Sequence, residues 1–176
     1  MGYRTSRNIL YENEMERMNY STNLLLYQDK PRYGLLLKLI LIIPAAFLIG
    51  SLFLWLSGDI AGSLALLPSA FIMGLVFWLV FPREYRVYES HLRIVLGGPF
   101  SVKVSFKDIE TFSKTSRTWL TINFVTRITK NYVEIVKKRG WNIAITPTDN
   151  DVFVENANRA LKQWLKTQHE MGVTRF

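Results

Sequence analysis

The chain has no cysteine, which removes disulfides, thiol nucleophiles and thiolate metal sites together. Histidine is nearly as scarce: His91 and His169 are the only two, and they lie far apart in sequence. There is no Gly-rich phosphate loop, no Ser-His-Asp set with a usable histidine, and no His and carboxylate cluster with metal-ligand spacing. These absences speak against an enzyme, and no cofactor is expected. Gly97 and Gly98 read as turn glycines, and His91, at the tip of a predicted hairpin, reads as exposed. No cleavable signal peptide is expected either, because the first apolar run starts too late and is too long for one.

Charge is missing from one long interval. Between Gly34 and Phe81 the ionisable residues are Lys38 and Asp59 alone, and Asp59 sits in the polar break Ser57, Gly58, Asp59. That break divides the run into two apolar halves, each of about the 20 residues a bilayer crossing needs. Lipid offers the backbone no hydrogen-bond partners, so each half must be a helix, and a short turn sends the second back beside the first. Lys30, Arg32 and Lys38 flank the first helix, Arg83 and Arg86 follow the second, and the turn has no Lys or Arg. The basic flanks predict a multi-pass protein of the cytoplasmic (inner) membrane with both termini cytoplasmic. Pro44 and Pro68 should bend the helices, and Trp55 and Trp78 sit where interfacial aromatics anchor. Ala46 and Gly50, and Ala70 and Gly74, form two small-x-x-x-small pairs; they fit either close helix packing or chance in an Ala- and Gly-rich apolar run.

Of the net charge of +8, seven units belong to residues 82–176. A basic part held beside an anionic membrane face is expected. The basic residues concentrate in predicted turns: Lys114 and Arg117, Arg127 and Lys130, and Lys137, Lys138 and Arg139. They read either as one anionic-surface contact or as solvated turns. Nucleic acid is not an expected partner, because no exposed stacking set accompanies the charge.

The chain before the apolar run is less structured in pattern. Residues Arg7 to Met18 fit a short amphipathic helix, and Leu24 to Tyr27 a short apolar strand or lead-in. After Glu84 the period becomes two. Tyr85 and Val87, then Leu92, Ile94 and Leu96, then Val102, Val104 and Phe106 alternate with polar residues, with turn-like breaks between. Four further strands are expected at Ile109–Ser113, Trp119–Thr126, Tyr132–Lys137 and Trp141–Thr146. A closing helix follows, with Thr148 as its N-cap and Phe153, Ala157, Ala160, Leu161, Trp164 and Leu165 on one face. The predicted core is Leu92, Ile94, Val104, Phe106, Ile109, Leu120, Ile122, Phe124, Val133, Ile135, Ile143 and Ile145, with Trp141 and Trp164 as core or rim packing.

The wording of this region resembles the bacterial branch of the pleckstrin-homology (PH) family. EYRVYESHLRIVLGG is similar to its first hairpin, SVKVSFKDIETF to its third strand and Asp-Ile turn, and WNIAITPTDNDVFVENANRAL to its last strand, Thr-Pro turn and capping helix. The resemblance covers residues 83–166 and implies a seven-stranded antiparallel barrel capped by a C-terminal helix. The expected organisation is an N-terminal cytoplasmic segment (1–33), a transmembrane hairpin (34–81), a PH-like domain (82–168) and a tail (169–176). Eukaryotic members that bind phosphoinositides use a basic loop between their first two strands. The loop read here as its counterpart, Tyr88, Glu89, Ser90 and His91, has one acid and no Lys or Arg, which speaks against headgroup recognition there. The resemblance implies a binding module: a membrane-anchored adaptor or assembly subunit meeting integral membrane partners, or a sensor contacting membrane lipids through its basic turns. Oligomeric state cannot be read from the residues.

Overall fold

The computed structural model describes residues 24–116, 121–127, 129, 131–170 and 172. The predicted Arg7–Met18 helix, Trp119 and Leu120 lie outside them. Two long helices, α1 (Leu35–Leu56) and α2 (Ile60–Val80), form the hairpin. The Ser57 to Asp59 break turns the chain: Gly58 adopts φ +89°, a conformation that favours glycine, and the Asp59 carboxylate caps α2 by accepting from the Gly62 N–H at 2.9 Å. Both helices are long and apolar enough to cross a membrane, and nearly all of their apolar surface faces outward. Where they touch, Ala70 is buried, and the buried Ser51 hydroxyl lies 3.0 Å from the Ser63 hydroxyl and 3.1 Å from the Ser63 carbonyl. Gly50 faces Leu66 and Gly74 faces Pro44 across the same interface, whereas Ala46 is exposed.

The rest of the described chain forms two four-stranded sheets and a helix. One sheet has the order β1 (Leu25–Asp29), β2 (Glu84–Tyr88), β3 (His91–Val95), β4 (Ser101–Ser105), all antiparallel. The other has the order β5 (Ile109–Thr115), β7 (Tyr132–Lys137), β8 (Asn142–Ile145), β6 (Thr121–Phe124), with β6 running parallel to β8. Eight strands in two open sheets replace the expected closed seven-stranded antiparallel barrel. Side chains and prolines hold the two seams instead of strand ladders. At one, a 3₁₀ turn (Phe106–Asp108) separates β4 from β5, and Asn158 of the closing helix α3 (Asn150–Glu170) takes the free edge of β5. Its side chain accepts from the Phe112 N–H at 3.1 Å and donates to the Phe112 carbonyl at 2.7 Å, as a neighbouring strand would. At the other, Pro31 faces Pro147 in a single bridge, and neither proline can donate to a ladder.

The eighth strand comes from before the hairpin. β1 pairs with β2 through Tyr27 with Val87, Gln28 with Arg86 and Asp29 with Tyr85, so the helix pair is inserted between two hydrogen-bonded strands. The core joins Tyr85, Val87, Leu92, Ile94, Phe106, Ile109, Phe112, Val133, Ile135 and Ile145 to Phe153, Ala157, Ala160 and Leu161 of α3, with Trp164 packed at its rim. Of the predicted core, Ile122 is exposed, because β6 is the outer strand of an open sheet, and Phe124 is only partly buried. Trp141, also read as packed, is 62% exposed. The α3 cap is Asp149, whose carboxylate accepts from the N–H groups of Asp151 and Val152 at 3.0 and 3.1 Å. Thr148 instead donates to the Lys30 carbonyl at 2.8 Å.

Candidate functional site

β1 runs into α1 and β2 leaves α2, so the helices fix two ends of the domain: one beside them and one far from them. The near end is a junction. Thr126 and Thr146, both fully buried, form its polar centre: the Thr126 hydroxyl donates to the Arg32 carbonyl at 2.9 Å and lies 2.8 Å from the Thr146 hydroxyl, which accepts from the Thr126 N–H at 3.0 Å. Backbone bonds from Arg32 N–H to the Thr146 carbonyl and from Gly34 N–H to the Thr126 carbonyl, both 2.9 Å, hold the chain just before α1. The Asp29 carboxylate accepts from the N–H groups of Thr148 and Asp149 at 3.1 and 3.4 Å. On the α2 side, the Tyr33 hydroxyl donates to the Pro82 carbonyl at 2.6 Å and Arg83 N–H donates to the Val95 carbonyl at 2.7 Å.

Gly97, in the β3–β4 loop, packs on the backbone of α2, so that a Cβ there would collide with the Trp78 carbonyl. Beside it Gly98 lies under the Trp78 ring, and the Arg83 guanidinium sits 5.3 Å from that ring's centre. Burial raises the Tyr33 pKa, and the Arg83 charge offsets part of the rise. Burial raises that of Tyr85 further; its hydroxyl donates to the Phe124 carbonyl at 3.2 Å beneath the junction. Phe100, at the same end, is 53% exposed.

The sequence-predicted basic residues divide between the two ends. Lys114 pairs with Asp151 at the start of α3 and, by strand register, lies across from Val133 near the helices. Arg127 packs on Gly34 at the foot of α1. Lys137 ends β7 and Lys138 and Arg139 follow in the β7–β8 turn at the far end, because β8 runs from there back to the junction at Thr146. Arg117 and Lys130 lie outside the described residues. The far turn is therefore a separate feature, with exposed Lys138, Arg139 and Trp141 together and exposed Ile122 on the neighbouring strand.

The loop Tyr88 to His91 is also at the far end, and it joins the second and third strands. The connection between the first two strands is the helix pair itself. His91 is buried rather than exposed: its ring stacks on Tyr88 at 4.7 Å, and burial, with Lys103 and Arg93 adding to it, lowers its pKa to about 4. Among the described residues no group of three or more His, Asp or Glu could hold a metal ion.

The described residues after the helix pair thus form a two-sheet domain closed by one C-terminal helix. Residues 83–159 match the bacterial PH domain family. The match begins one residue before β2, so β1 and the helix pair lie outside it, and it ends within α3. PH-like domains are generally non-catalytic, and the matched residues here follow two helices long and apolar enough to cross a membrane. No curated protein and no solved structure matches the chain.

Proposed function

We propose that the protein is a non-enzymatic, membrane-anchored adaptor, an accessory or assembly subunit of a larger bacterial membrane complex. In this reading α1 and α2 span the cytoplasmic membrane, both termini are cytoplasmic, and the helices pack on integral membrane partners. The observation that carries it is the joining of two things. The helices are apolar around their whole circumference and nearly all of that surface is unburied, a state stable only in lipid or against other membrane helices. The PH-like domain is not tethered to them by a loose linker but stitched to the start of α1 and the end of α2. Such a mount suits a protein that presents one face to a partner in a fixed direction. A domain already anchored also gains effective concentration against a membrane-bound partner, without strong lipid affinity.

The far end is the face that reaches into the cytoplasm in this reading. Exposed Lys138, Arg139 and Trp141 combine positive charge with an aromatic anchor, the residue types enriched in protein interfaces. Their distance from the helices favours a soluble, acidic partner surface over the bilayer. The test is capture of partners by the tagged full-length chain from its own membranes, wild type against Lys138→Glu/Arg139→Glu and Trp141→Ala. The expected result is that the variants stay in the membrane fraction and lose the soluble companion; companions retained at wild-type yield by both variants would refute this face as the contact.

A further inference from the structure

At the junction end the side chains of the two packed helices leave a groove of about 420 Å³ along their seam, within the roughly 300–1,000 Å³ typical of ligand pockets. Its walls within the apolar run are Leu41, Pro44, Ala45, Leu48, Gly74 and Phe77, and it is open along one side. Gly74 contributes no side chain to the wall; the nearest atom to a Cβ placed there would be that of Pro44, 3.8 Å away.

The rim of the groove differs from its walls. Tyr33, Trp78, Phe81 and Arg83 line it where the helices meet the domain. The Arg83 side chain is exposed and held over the Trp78 ring, and among the described residues no carboxylate lies within ion-pair distance of it. The nearby acids are engaged elsewhere: Glu84 pairs with Arg86 at 2.5 Å, and Asp29 accepts from Thr148 and Asp149. Arg32 and Lys38, both exposed, add positive charge on the α1 side. An apolar groove ending in an exposed guanidinium over an aromatic ring, with no carboxylate partner for it among the described residues, matches an anionic amphiphile. That molecule has a long hydrocarbon chain attached to an anionic headgroup.

We infer that this groove binds one anionic phospholipid, with an acyl chain lying along the α1–α2 seam and the headgroup phosphate on Arg83. The site differs from the basic turns of the PH domain in place and composition, and it lies where the anionic cytoplasmic leaflet would put a headgroup. It rests on the membrane-spanning reading of the helices. An occupied groove ties lipid to both helices and, through Tyr33 and Arg83, to the two chain segments that enter the domain. Seating of the PH domain is then coupled to a bound lipid.

The experiment uses the full-length protein reconstituted in vesicles of equal parts dioleoyl-phosphatidylglycerol and dioleoyl-phosphatidylcholine. The vesicles are washed with alkaline carbonate, and the protein is then extracted in mild detergent for native mass spectrometry. Protein stripped by the wash would overturn the membrane reading itself, independently of the lipid site. The wild type is expected to carry one phosphatidylglycerol, favoured over phosphatidylcholine by about tenfold: both lipids offer Arg83 a phosphate, but the choline cation brings a second positive charge against Arg83, Arg32 and Lys38. Arg83→Gln should bring the ratio of the two lipids close to one, and Ala45→Phe, which fills the slot from an exposed position on α1, should remove both adducts. The lipid site is overturned if membrane-retained wild type carries no adduct, if Arg83→Gln keeps the preference, or if Ala45→Phe keeps the adduct. A groove filled by a second copy or by a partner helix would also appear as an adduct-free chain within a larger mass.

Discussion

Single side chains hold the junction, and their loss should be measurable. Thr126→Val keeps the volume and removes the donor to the Arg32 carbonyl, leaving buried polar groups unpaired; the cost should be about 1–3 kcal/mol, read as a fall in unfolding free energy in detergent. A change near zero would mean that water replaces the hydroxyl. His91 predicts a pH effect. Its pKa is lowered from 6.5 to about 4 in the folded protein, so between these values the unfolded chain binds more protons and stability falls as pH drops. His91→Phe keeps a ring against Tyr88 and cannot protonate. It should lose less melting temperature than wild type between about pH 6.5 and 4, the carboxylates being common to both; parallel profiles would contradict the assignment. Residue roles were readable where periodicity speaks: Leu92, Ile94, Val104, Ile135 and Ile145 alternate into the core as expected. Thr126 and Thr146 carry no such signal, because a threonine at the end of an expected strand looks the same buried or exposed until its partners are known.

Two features of the elements invite tests. β1 is a short strand far in sequence from its partner, and a chain without cysteine makes the pairing simple to trap. Gln28 stands opposite Arg86, and facing residues of antiparallel strands have Cα atoms about 4.5–5.5 Å apart, inside the roughly 4.4–6.8 Å range of disulfides. The Gln28→Cys/Arg86→Cys variant should oxidise readily to an intramolecular disulfide, while Gln28→Cys paired with a cysteine at Lys103, on the far side of the sheet, should not. Asn158→Ala should destabilise by about 1–3 kcal/mol, since the Phe112 backbone groups lose both partners. Strand and helix identities were legible because the period changes sharply after Glu84. Pairing was not. The closed barrel was expected from the resemblance, and what opens it, an asparagine taking a strand edge and two facing prolines at the other seam, is a matter of contacts between distant residues. β1 was visible as a short apolar strand or lead-in over Leu24 to Tyr27, but its partner was not, because an edge strand of five residues has too few alternations to declare one.

At the scale of the molecule, the helix pair and the two-sheet domain are joined at both chain crossings of the junction. Gly97 is where this can be broken: Gly97→Ala puts a methyl group against the Trp78 carbonyl, so the β3–β4 loop must leave α2. Limited proteolysis should then cut faster between Phe81 and Glu84 than in wild type, and an unchanged cleavage rate would mean the seat is looser than its geometry. The order of elements was readable from charge-free length and from period. That the hairpin sits inside the sheet, between β1 and β2, was not, because sequence neighbours suggested a domain beginning after the helices. The central claim, an adaptor within a larger membrane assembly, is tested most directly by the native mass of the complex extracted from its own membranes in a mild detergent, with every co-purifying chain identified. The account predicts a stoichiometric set of companions that includes at least one integral membrane protein. A lone monomer, or an assembly made of this chain alone, would contradict it.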